Sequence, residues 1–113
     1  MRLEQRKYLY DIQQAVALLT QFTAGREFVD YTGDPLLRSG VERQLGIIGE
    51  ALAQLAKLDS TLAARISEHR RIIGFRNVLI HGYGDVDDRV VWDVVETKLP
   101  VLRDEVESLL RED

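Results

Sequence analysis

Residues 34–58 read DPLLRSGVERQLGIIGEALAQLAKL, and the spacing within this stretch decides the fold class. Leu37, Val41, Leu45, Ile48, Leu52 and Leu55 recur at steps of three and four, which makes one apolar stripe along a long helix. Asp34 followed by Pro35 supplies an N-cap and a first-turn proline. Gly46 and Gly49 lie three apart on the same helix, where missing side chains let another backbone come close.

Outward from this helix the period stays helical. Leu9, Ile12, Val16 and Leu19 form one stripe on a helix from about Leu3 to Thr23, with Gly25 as its stop signal. Asp59 or Ser60 can cap a short helix, and another runs from about Glu68 to His81, ending at the glycines around Tyr83. Asp87 or Asp88 can cap the last helix, with Val91, Val94 and Val95 on its buried side. Pro100 should kink or divide that helix, because proline lacks an N–H and crowds the preceding turn. No strand-like alternation, internal repeat or low-complexity segment interrupts the pattern. Residues 1–113 therefore read as a single all-α domain, an up-and-down bundle of four main helices plus a short extra helix.

Composition narrows the function classes. With 113 residues and 45% of them hydrophobic, the chain can bury one core. It has no cysteine, which excludes disulfides and thiolate metal sites. No window approaches the roughly 20 apolar residues of a membrane span, and the first residues form no apolar leader, so the cytoplasm is the expected location. The net charge of −4 argues against a long polyanion, but its distribution is uneven. Residues 65–81 carry Arg65, Arg70, Arg71 and Arg76 against Glu68 alone, a local balance of +3, whereas the segment from Gly82 onward sums to −6. Such a patch can hold a short phosphate segment, and Arg65, Arg70 and Arg71 are its candidate RNA contacts.

Within that patch, residues 74–84 read GFRNVLIHGYG. Asn77 and His81 lie about 40° apart around a helix and share a face. Arg76 is adjacent and can swing toward them, while Val78, Leu79 and Ile80 are expected to anchor the helix in the core. Arginine offers a planar fork of donors suited to phosphate oxygens, and histidine moves protons near neutral pH. Together they meet the minimum for cleaving RNA without a metal, the 2′-hydroxyl being the nucleophile, so DNA would not be cut. A structural reading stands beside this one, because cations near a helix C-terminus interact favourably with its last carbonyls. His69 reads as a surface residue, Glu50 as a solvated or partnered carboxylate, and GDVDD at 84–88 as a helix cap rather than a calcium loop. No HExxH, P-loop or Ser/His/Asp order is present.

The run RNVLIHGY resembles the HEPN superfamily, whose signature is an arginine, a polar residue, a short spacer and a histidine. The tyrosine two residues after the histidine looks like the HepT branch, toxins paired with MntA-type minimal nucleotidyltransferase antitoxins. VERQLGIIGEAL at 41–52, with Arg43 and Glu50, is similar to that family's second long helix, and VVWDVVETKLPVLRDEVESLL at 90–110 to its last. The resemblance implies that Arg76 binds and polarises the scissile phosphate, Asn77 orients groups and His81 moves protons. It implies that Tyr83 receives AMP from the partner enzyme, and that no metal or cofactor takes part. A two-fold homodimer would supply the second histidine that acid–base chemistry benefits from. The expectation is a metal-independent endoribonuclease toxin of a type VII-like pair. The alternatives are a non-catalytic helical module that binds a nucleotide or a protein partner, and a purely structural dimer.

Overall fold

Asp34 starts the long helix through its own carboxylate, which accepts the backbone N–H groups of Leu36 at 3.0 Å and Leu37 at 3.1 Å. The computed structural model describes residues 1–82 and 86–112. Four long helical runs make up the bundle: α1 (Leu3–Thr23), α3 (Pro35–Leu58), α5 (His69–His81) and the joined α6 (Asp88–Asp93) and α7 (Leu99–Leu110). Two short helices connect them, α2 (Phe28–Thr32) and α4 (Ser60–Ala63), and no strand occurs among the described residues. The fold is all-α, as the periodicity requires.

Helix ends follow local chemistry. Gly25 adopts φ 71° just past α1, a left-handed conformation that glycine reaches without a Cβ penalty. Asp59, rather than Ser60, caps α4 by accepting from Leu62 N–H at 3.0 Å. Its other oxygen accepts from the buried Gln5 at 2.8 Å, which ties the start of α1 to the α3–α4 corner. Asp87, rather than Asp88, caps α6. Pro100 divides the last run without ending it. A π-helical turn at Val94–Lys98 precedes it, in which Leu99 N–H bonds the Val94 carbonyl five residues back. That wider turn accommodates the proline ring and its missing donor at the start of α7. Helix α2 was not legible from the sequence, since five residues offer no repeat to read.

The core is one cluster of buried side chains. Leu9, Ile12, Val16 and Leu19 of α1 meet Val41, Leu45, Ile48, Leu52 and Leu55 of α3, and Leu102, Val106 and Leu109 of α7. Tyr31 of α2 stacks on Trp92 of α6, with ring centroids 5.2 Å apart.

Helix α5 departs from expectation. None of its residues is buried, and Val78 and Ile80, expected as core anchors, are 43% and 49% exposed. Ile72, Ile73, Phe75 and Leu79 attach it to the bundle instead, each half-buried. The reason is its place in the fold. The molecule is 19 Å across its thinnest direction, about two helix diameters. α5 lies at the margin against α3, and one neighbour covers only one flank of a helix.

Gly49 makes that contact close. A Cβ built there would sit 2.6 Å from the Arg76 Cβ and 3.2 Å from the Ile72 carbonyl oxygen. Gly46 has open space in the same test, so the expected backbone approach occurs at Gly49 alone of the pair. Gly49→Ala is therefore expected to destabilise the fold by about 1–3 kcal/mol through overpacking. Gly46→Ala should be neutral or stabilising by up to about 1 kcal/mol, as alanine is the better helix former. Urea unfolding of the two variants, followed by circular dichroism, checks the contrast.

Candidate functional site

The last turns of α5 carry Arg76, Asn77 and His81. The helix stops at Gly82, whose N–H bonds the Val78 carbonyl at 2.8 Å. A Cβ at Gly82 would collide with that carbonyl oxygen, so glycine lets the helix end directly beside His81.

Helix geometry by itself separates the pair. Arg76 and His81 are about 7.5 Å apart along the axis and about 140° apart around it, whereas Asn77 is about 40° from His81. Asn77 lies between them around the helix. Arg76 leaves α5 on the side facing α3, with its side chain 21% exposed. Its Nε and Nη2 donate to Asn77 Oδ1 at 3.3 and 3.0 Å, which ties the guanidinium to the residue that shares an exposed face with His81. Nη1 donates to Glu50 Oε2 on α3 at 2.5 Å. Of the five N–H bonds of a guanidinium, one on each Nη stays uncommitted, a pair able to address a phosphate.

Glu50 is itself held from the other side, its Oε1 accepting from Gln54 Nε2 at 3.0 Å. The Gln54 hydrogen bond first, and then the Arg76 guanidinium, hold the Glu50 carboxyl below its ordinary pKa. A depressed carboxyl keeps its charge while pH falls through the usual carboxylate range. The Glu50–Arg76 pair is thus intact at neutral pH and is lost only under more acidic conditions.

The other arginines separate. Arg65 forms a two-pronged pair with Glu112, at 2.9 and 2.5 Å, and Arg71 pairs with Glu68 at 2.7 Å. Glu68 also binds Lys98 at 2.9 Å. Arg70 is exposed, pairs with no acid among the described residues, and lies on the face of Asn77 and His81 about two to three turns upstream. Gly74 sits between them with open space beyond it. The structure therefore brings Arg70, Asn77 and His81 into one strip and commits Arg65 and Arg71 to acids elsewhere. His69, read as a surface residue, is half-buried at the start of α5. Tyr83 lies outside the described residues, as do Gly84 and Asp85.

Beside this strip an open groove of about 770 Å³ runs over α3, walled by Lys7 and Tyr8 of α1 and by Leu79 and Ile80 of α5. Arg43, Gly46, Ile47 and Glu50 form its floor. Among the described residues, no three histidine, aspartate or glutamate side chains gather at metal-ligand spacing, and no helix is long and apolar enough to cross a membrane.

Residues 12–109 match the family described as Ribonuclease HepT-like. The chain belongs to the HepT-like family. A protein of Thermococcus cleftensis named as a probable ribonuclease HepT is 35% identical to this HepT-like chain over 109 residues, which is 96% of this chain and 98% of that one. A protein of Caldanaerobacter subterraneus subsp. tengcongensis with a provisional RNase name is 32% identical over 108 residues, 96% of each chain. One from Methanocaldococcus jannaschii, also provisionally named an RNase, is 29% identical over 102 residues, 90% of this chain and 93% of that one. No solved structure matches the chain significantly.

Glu50, read from the sequence as a solvated or partnered carboxylate, is partnered in this HepT-like site; what sequence reasoning missed is that its partner is Arg76. The signal was present in part: Gly49, beside it, marks the spot where α5 comes close.

Proposed function

We propose that this HepT-like chain is a metal-independent endoribonuclease and the toxin of a toxin–antitoxin pair. The observation that supports the reading is the end of α5, where Asn77 and Glu50 hold the Arg76 guanidinium with two N–H bonds uncommitted, about a turn and a half of helix before His81. The ribonuclease names of the relatives support it. In the reaction, a histidine takes the proton of the 2′-hydroxyl and the oxygen attacks the adjacent phosphorus. The bond from phosphorus to the 5′-oxygen breaks, and that oxygen leaves with a proton from an acid. A 2′,3′-cyclic phosphate and a 5′-hydroxyl result. Arg76 offsets charge on the phosphoryl oxygens as it builds in the transition state.

Base and acid call for two histidines, and each chain brings one motif histidine. A homodimer joined along α5 supplies both. In support, exposed Val78 and Ile80 flank the strip of Arg70, Gly74, Asn77 and His81, an apolar border around a polar centre. Tyr83, two residues beyond His81, is the acceptor of AMP from an MntA-like nucleotidyltransferase. The added phosphate and base then repel and obstruct RNA at the site.

One series tests the reading. Purified protein should cut total RNA in excess EDTA and scatter light as about twice its 12.9 kDa chain mass. Incubation with a cognate nucleotidyltransferase and ATP should add AMP, detected by mass spectrometry, and silence cleavage. Tyr83→Phe should keep most cleavage and escape both changes. Cleavage that requires magnesium, or AMP found on Tyr8 or Tyr10 instead, would reject the corresponding part.

A further inference from the structure

Glu50 makes the one ion pair of the motif among the described residues, yet nothing in the chemistry above requires a carboxylate. A negative group beside a phosphate site is unfavourable unless it does something else. Its surroundings indicate what. Both carboxylate oxygens are engaged, Oε1 by Gln54 and Oε2 by Arg76, so Glu50 is fixed from within α3 before it meets α5. Gly49, the preceding residue, admits the Cβ of Arg76 to a position that any larger side chain would fill. Consecutive residues of α3 thus form a seat: glycine takes the root of the arginine side chain and glutamate takes its head. Asn77 holds the remaining edge.

We propose that Gly49 and Glu50 form a positioning seat for Arg76, with Glu50 as a positioning residue that fixes the guanidinium for the transition state. An arginine side chain has several rotatable bonds, and in solution its head samples many orientations. Held at three of its nitrogens, it presents its two uncommitted N–H bonds in one direction. That preorganisation acts on the rate of the chemical step, since small misplacements of a catalytic group can cost about 10²-fold. The 53% exposure of the Glu50 side chain keeps it hydrated, so its repulsion of an incoming phosphate is moderated by water. The seat therefore influences turnover more than RNA binding.

The inference rests on the ribonuclease reading for its effect on rate, but not for the contact itself, and two measurements separate the two. The first is steady-state cleavage of a short RNA by the wild type, Glu50→Ala and Glu50→Gln. Glu50→Ala should lower kcat by about 10- to 100-fold while KM stays equal or falls, because a negative charge has left the site. Glu50→Gln retains an oxygen to accept from Arg76 and should recover most of the loss. A rise in kcat/KM for Glu50→Ala would identify a latch that obstructs Arg76, and no change would identify a bystander; either overturns the proposal. The second measurement is the exchange of the Arg76 Nη–H resonances, one of which Glu50 accepts, in 15N-labelled protein without RNA. Slow exchange in the wild type and in Glu50→Gln, with fast exchange in Glu50→Ala, supports the seat even if no preparation cuts RNA, in which case the ribonuclease reading alone fails. Equal exchange in all three overturns the seat even if RNA is cut.

Discussion

Replacing His81 with alanine is expected to lower RNA cleavage by at least about 10²-fold while leaving the fold intact. The imidazole is exposed at the end of α5, so its removal opens no cavity and orphans no buried partner. Any loss of cleavage then reports on proton transfer rather than on stability. Arg76→Ala should cost a comparable factor by removing the cation that faces developing charge at phosphorus, a term often worth about 10²–10³-fold. Its consequence for folding is small for a specific reason. The carboxylate it leaves behind, Glu50, is 53% exposed and returns to water. Arg76→Lys is not a conservative control, because an ammonium cannot donate to Asn77 and Glu50 and still offer two N–H bonds side by side. Cleavage of a defined RNA, with circular dichroism on the same samples, checks all three variants. Undiminished cleavage by His81→Ala would reject His81 as the group that moves the proton, whereas no cleavage by the wild type would favour a binding module.

The largest effect on stability is expected at the opposite kind of residue. Trp92 is 4% exposed and stacks against Tyr31, which is fully buried. This pair joins α2 to α6, which also meet where the Arg89 guanidinium lies 3.7 Å from the centre of the Phe28 ring. Trp92→Ala should destabilise the fold by about 3–5 kcal/mol, the usual cost of deleting a large aromatic from a packed interior. Trp92→Phe keeps an aromatic ring facing Tyr31 and should lose clearly less. Urea midpoints measured by circular dichroism, which does not depend on tryptophan fluorescence, give the comparison.

What the sequence by itself determined lies in local chemistry. The limits of α1, the Asp34 cap, the stop at Gly25 and the inward stripe of α3 depend on residues within a few positions of one another. A period of 3.6 and a cap hydrogen bond carry that information without reference to the rest of the molecule. The shared face of Asn77 and His81 was legible for the same reason. The tertiary structure decided everything that required knowing a helix's neighbours. Val78 and Ile80 read as core because apolar residues in a helix usually are, yet α5 lies at the margin and its outer side meets none of the described residues. Arg65 read as a candidate RNA contact, but folding brings Glu112 to it from 47 residues away; Arg71, read the same way, pairs with Glu68 only three residues back, a contact that is local. Glu50 and Arg76 are 26 residues apart, and no helical period links them. Their contact exists because Gly49 lets α5 approach α3 closely enough for one side chain to reach across. Periodicity sets which way a side chain points along its own helix; the distance between helices sets what it finds there.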